Sequence, residues 1–245
     1  MSLTSAEIVI VNQSLDRIGS TKITVSNQST VEAESANRHY EQTRDSLLRT
    51  FDWRFAKTSL KLSSDFTESE AYTTDQYAWD LGLLYKCILA FSGSTTHPAS
   101  DGTHWSVVAA ATYTPQFKYD YQYDLPADYL KEFENWEEET AYPEILWDIQ
   151  GSKFLTDETD VNFIYISKIT DTTKFDPLFT ELLIIEIALR LISAIAGTNT
   201  TQIKEDLKYE RQELVRSVNQ MTSKELEDTG RSDWNLSRFE QGTRL

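Results

Sequence analysis

The chain has 245 residues, 40% of them hydrophobic, with 6 Trp, 12 Tyr and 11 Phe. That is ample apolar chain for a packed core, or for two small ones, and it excludes a disordered protein. The formal net charge of −16, from 39 acidic and 23 basic residues, argues against a nucleic-acid binder, whose affinity comes from Lys and Arg at phosphates.

Cys87 is the only cysteine, so neither an intrachain disulfide nor a Cys-based zinc site is expected. The N-terminal stretch lacks a basic n-region and a long apolar run, so no secretory signal is expected there. From Thr4 the pattern turns helical. Thr4 with Glu7 forms a capping box, and Ile8, Val11, Leu15 and Ile18 fall on one face before Gly19. Ser29 with Glu32 predicts a second capping box. Ala33, Ala36, Tyr40, Thr43 and Leu47 then line one face of a second helix. Phe51, Trp53 and Phe55 read as core at the exit from that helix.

Residues 63–118 are rich in Ser, Thr and Gly and carry His97 and His104. They read as an inserted β-rich mini-module. Its stretch from Gln76 to Trp105, an aromatic–Cys strand, a Ser/Thr/Pro loop and a Trp, loosely resembles chitin-binding-type modules. That resemblance makes Trp79, Tyr85 and Trp105 a candidate aromatic platform for a sugar ring. The opposing reading makes them the small core of the insertion. The two histidines are too loosely spaced for a metal motif. A dyad of Cys87 with either one has nothing to orient it.

The period then becomes 2. Tyr119, Tyr121, Tyr123 and Leu125 alternate with polar residues, as do Ile145, Trp147 and Ile149, and later Val161, Phe163 and Tyr165. Gly151-Ser152 predicts a two-residue hairpin turn, and the whole predicts an antiparallel meander. The acidic run 132–140 around Trp136 reads as a solvated loop. Its carboxylates leave cell-wall hydrolysis open as a remote alternative.

Asp176-Pro177 opens a third helix, almost wholly apolar except at Glu181, Glu186, Arg190 and Ser193, and Gly197 ends it. Glu186 and Arg190 can pair at i,i+4. Asn199 with Gln202 starts a fourth helix, with Ile203, Leu207, Leu214, Val218 and Met221 on one face. The apolar stretch from Leu182 to Ala196 is interrupted by charge, so it reads as a buried helix and not a membrane span. After Leu226 the chain turns polar. Trp234, Leu236 and Phe239 have no helical period to hold them and read as docking anchors for a partner.

These elements predict an α+β fold, an antiparallel bundle of about four helices with a β-meander and a small inserted β-module. Its parts are a core of residues 1–62 and 119–227, the module 63–118 and an extended arm 228–245. No signature of nucleotide binding or nucleophilic catalysis is present, so no enzyme, catalytic residue, metal or cofactor is expected.

Two blocks carry a resemblance over about two thirds of the chain: residues 44–60, RDSLLRTFDWRFAKTSL, and residues 151–179, which run into the apolar helix 181–197. Together they resemble the tail tubular protein A family, the head-to-tail adaptors of short-tailed bacteriophages. The resemblance implies a structural protein of the virion's neck, assembled in the host cytoplasm. It implies a homo-oligomeric ring, commonly of twelve copies, that joins the portal protein to the tail nozzle protein. Genomic DNA would pass through its channel without specific binding. The alternatives are a glycan-binding virion protein acting through 63–118 and, further off, a cell-wall hydrolase.

Overall fold

The computed structural model describes residues 2–93, 95–115, 118–133, 147–195 and 200–229, the side chains of 110–111 and 222–229 excepted. The chain divides into two compact units, one of residues 1–56 and 168–245 and one of residues 57–167.

The first unit is helical. Helix α1 spans Ser5–Arg17 and α2 spans Val31–Thr50. At the start of α1 the capping box is formed: the Glu7 amide donates to Thr4 Oγ1 at 3.3 Å, and the Thr4 amide donates to Glu7 Oε2 at 2.8 Å. Gly19 follows with φ +66°, a left-handed position that suits glycine. The cap of α2 sits one residue beyond the expected Ser29, because the Ala33 amide finds Thr30 Oγ1 at 3.3 Å.

A third, four-residue helix, α3 at Ala110–Tyr113, lies in the other unit. Helix α4 spans Pro177–Ile195 and α5 spans Thr201–Thr229. Asp176 caps α4, with the Leu178 amide donating to Asp176 Oδ1 at 2.8 Å. The expected ends at Gly197 and Asn199 lie outside the described residues. The apolar surface of α4 is so broad that it packs against α1, α2 and α5 together. Phe179, Leu182, Leu183, Ile187, Ala188 and Leu191 are fully buried there. Trp53 fills the end of this core. Its indole donates to the Leu47 carbonyl at 3.0 Å and its ring meets Phe179 edge-on at 5.2 Å.

The second unit is β-rich. Its strands are β1 (Lys57–Asp65), β2 (Ala71–Tyr72), β3 (Tyr77–Asp80), β4 (Leu83–Cys87), β5 (Phe91–Ser92) and β6 (Trp105–Val107). After α3 come β7 (Tyr121–Asp124), β8 (Tyr129–Glu132), β9 (Trp147–Gln150), β10 (Lys153–Thr156) and β11 (Val161–Ser167). They form a six-stranded sheet ordered β6-β4-β3-β1-β11-β8, a three-stranded sheet β7-β10-β9 and a ribbon β2-β5. In the large sheet only β1 and β3 are parallel.

The expected fold is corrected on this point. The chain is not a four-helix bundle carrying a meander and a small module, because the described residues hold eleven strands in three sheets, the largest mixed. Strands of two to five residues within Ser/Thr-rich sequence are too short to display period 2, so the segment reads as a separate β-rich module with no sign of the strands it pairs with. The boundaries of the units follow from pairing. β1 takes β11 on one side and β3 on the other, which makes residues 63–118 continuous with the sheet that 119–167 complete. The hairpin at Gly151-Ser152 forms as expected, with Lys153 opposite Gln150 and Gly151 at φ +64°. Val161, Phe163 and Tyr165, however, belong to the large sheet and not to a meander with β9.

Strand β3 separates two cores. Tyr77 joins Leu62, Leu84, Tyr123, Phe154, Val161, Phe163 and Tyr165. Its neighbour Ala78 points the opposite way, into Tyr72, Tyr85, Cys87 and Trp105.

Candidate functional site

The turn between β3 and β4 breaks a local rule. Asp80 and Leu83 are register partners, so Leu81-Gly82 is a two-residue turn, with φ +51° and +77°. That geometry favours Asn or Asp followed by Gly, since a side chain with a bulky Cβ substituent costs about 1–2 kcal/mol in the left-handed region. Here it holds a leucine whose side chain gains nothing from burial, being 81% exposed.

The surface around it is also apolar. Leu83 and Tyr85 share a face of β4, and Tyr85 is the register partner of Val107 on β6. Tyr85 and Trp105 are covered by Tyr72 and Phe91, with Tyr72 4.9 Å and Phe91 5.7 Å from the Trp105 ring. Beyond that cover the face stays open at Leu83, 46% exposed, and Val107, 59% exposed. Strand β6 ends the sheet, with β4 its only ladder partner among the described residues. A strained exposed leucine, two further exposed aliphatics and an unpaired edge therefore meet at one tip.

Beneath the tip lies Asp80, buried at 7% exposure. His97 Nδ1 is 3.0 Å from its Oδ1, the Nε2 of that ring is 3.8 Å from Glu68, and the ring rests on Phe66. His104 repeats the device: its Nδ1 is 2.8 Å from Asp101 Oδ2, and its ring lies on Phe91. Burial works to raise the Asp101 pKa, but hydrogen bonds from the His104 side chain and from the His104 and Thr103 amides hold it below the usual value. Both loop histidines thus pin aspartates, Asp80 buried and Asp101 half-buried. Among the described residues no cluster of His, Cys, Asp and Glu is placed to hold a metal ion.

Of the sequence-derived candidates, Trp79, Tyr85 and Trp105 are not brought together. Tyr85 and Trp105 are buried in one core, whereas Trp79 packs from the opposite face of β3 against Tyr113 and Tyr121. They present no common platform to a sugar. The Cys87 thiol donates to the Leu89 carbonyl at 3.4 Å, and burial pushes its pKa up, the reverse of an activated thiol. Trp234, Leu236 and Phe239 lie outside the described residues, as does the acidic run beyond Phe133. Leu81 and Leu83 escaped the sequence analysis. The signal was present, a leucine where a two-residue turn calls for Asn or Asp, but it needs the register of β3 on β4 to become visible.

The helical unit has its own polar features. Arg44, 3% exposed, is held by Asp45 at 2.8 Å, Glu41 at 3.6 Å and Glu7 at 3.7 Å, and Lys168 reaches Glu41 and Asp45 at 2.5 and 3.0 Å. An open groove of about 680 Å³ runs between α1 and the start of α4. Of its charged residues Asp16, Arg17 and Glu181, the first two are already paired, with Lys22 and Glu210. No helix among the described residues is long and apolar enough to cross a membrane. No protein-family model matches the chain, and no curated protein matches it in sequence.

Proposed function

We propose that the chain is a structural head-to-tail adaptor of a short-tailed bacteriophage. Copies form a ring of twelve that joins the portal to the tail nozzle and extends the DNA channel. The observation that carries the reading is the β3–β4 tip, where Leu81 is strained and exposed with no compensating contact among the described residues. Such a cost is offset when a partner buries the side chain, so the tip reads as an assembly contact. The resemblance of residues 44–60 and 151–179 to the tail tubular protein A family supplies the kind of assembly. The net charge of −16 suits a conduit that phosphates do not adhere to. The glycan-binding alternative gains no support from Tyr85 and Trp105, which are 6% and 3% exposed.

Mixing the purified chain with portal protein and imaging by electron microscopy tests the reading. Rings of adaptor on the portal are expected, and the double variant Leu81→Asp, Leu83→Asp is expected to leave the portal bare while remaining folded. A chain that stays monomeric in excess portal overturns the adaptor assignment. A double variant that assembles normally removes the tip from it.

A further inference from the structure

The helical unit contains a second hollow, a cleft of about 160 Å³ between α2, α4 and α5. Two arginines line it, Arg190 of α4 and Arg211 of α5, with one carboxylate, Glu186. Helical spacing predicts a pair between Glu186 and Arg190. The fold gives Glu186 to Arg211 instead, whose Nε donates to Glu186 Oε1. Among the described residues no carboxylate lies within ion-pair distance of Arg190, and no side-chain hydrogen bond reaches its guanidinium. Arg190 is nevertheless only partly exposed. Leu47 and Phe51 wall the same cleft with apolar surface, and Ser46 adds a hydroxyl at its rim. A guanidinium drawn partly out of water without a partner is a cost, and the group that relieves it is one with two coplanar oxygens.

We propose that this cleft is a carboxylate-binding site in which Arg190 grips the carboxylate with its guanidinium fork. The charge sets the ligand class. Two arginines against one glutamate leave the cleft at +1 on a strongly acidic chain. One carboxylate balances it, whereas a phosphate monoester, at about −1.5 to −2, overshoots. The size agrees: the hollow is several times the roughly 30 Å³ that a water occupies in the liquid, enough for an acetate-sized group. The carboxylate comes either from a free small acid or from an Asp or Glu side chain of another protein.

The structure provides a reporter. His39, on α2, has its Nδ1 buried without a hydrogen-bond partner among the described residues. Burial lowers its pKa, and the charges of Arg190 and Arg38 lower it further. A carboxylate seated on Arg190 cancels part of that field, so His39 must titrate at higher pH when the site is filled.

The test is an NMR titration of the three histidines of the full chain, with sodium acetate against sodium chloride at matched ionic strength. The expected result is a saturable upward shift of the His39 midpoint in acetate alone, with His97 and His104 unmoved. Arg190→Gln should raise the His39 midpoint without any ligand and abolish the acetate response. Arg190→Lys, which keeps the charge and loses the fork, should weaken acetate binding about tenfold, the equivalent of one charge-assisted hydrogen bond. A His39 shift that is equal in chloride, or that persists in Arg190→Gln, overturns the site. Inorganic phosphate binding more tightly than acetate overturns the carboxylate assignment. A blocked peptide with a single glutamate distinguishes the sources: binding as tight as acetate supports a protein side chain, and exclusion of the peptide supports a free acid.

Discussion

The two units are stabilised in contrasting ways. The helical unit gathers its apolar mass on a single element, α4, and surrounds it with helices whose ends are set by local caps. It also buries charge, the Arg44 network. The β unit has no such central element. Its two cores are built mostly from aromatic rings, many contributed by strands far apart in sequence, such as Tyr123 with Tyr77 and Tyr121 with Trp79. One unit therefore depends on a few helix faces, the other on strand pairings that must all be present together. Sensitivity to mutation should differ accordingly.

Removing residues 66–116 sharpens the contrast most. Read as an insertion, this segment would be dispensable. In the fold it contributes β2 to β6, and its loss uncovers Leu62 and takes Tyr77 and Leu84 from their core. The near-UV circular dichroism of the aromatic cores should collapse while the helical far-UV signal persists. A deletion variant that keeps its aromatic signal would restore the insertion.

In the helical unit the largest single effect is expected at the centre of α4. Leu191 is fully buried, and Leu191→Asp places an unpartnered carboxylate there at a cost of several kcal/mol, comparable to a domain's stability of about 5–15 kcal/mol. Leu189 is only partly buried, so Leu189→Asp should unfold at measurably higher denaturant. Equal denaturation midpoints for the two variants would show that the face of α4 has been misplaced. Arg44→Ala should cost about 3 kcal/mol, because it leaves the buried Glu7 without its cation, whereas Asp45 and Glu41 keep Lys168. Chemical denaturation followed by helical ellipticity measures it.

The β unit has a carboxylate with a different outcome. Burial works to raise the pKa of Asp124, but hydrogen bonds from Lys153 and Tyr77, at 2.6 and 3.0 Å, outweigh it and hold the group below the usual aspartate range. A lowered folded pKa stabilises above the unfolded value of about 3.9 and is lost as pH falls through the lower folded value. The β unit of Asp124→Asn should therefore lose less stability between about pH 4 and pH 2 than that of the parent, as thermal melts across that window would show.

The smallest effect runs the other way. Leu81→Asn relieves the left-handed leucine and should stabilise the β unit by roughly 1 kcal/mol, while weakening assembly on a portal. A variant that gains stability and assembles as well as the parent would show that the turn is merely poorly optimised.

Sequence alone determined what is local. The capping box at Thr4 and Glu7, the start of α4 at Asp176-Pro177 and the turn at Gly151-Ser152 were all legible, because the groups that satisfy one another lie within a few residues. The buried face of α2 was legible too, since a helix keeps its period over many residues, whereas on α4, where every apolar residue reads as core, Leu189 is only partly buried. Tertiary structure alone decided that β1 pairs with both β11 and β3, and with it the division into compact units at residues 57 and 167. It also decided that Glu186 leaves Arg190 for Arg211, and that Leu81 stands strained and exposed while Tyr85 and Trp105 are buried. These outcomes turn on which distant segments meet, and a short strand or a single side chain carries no periodic signal of its partner.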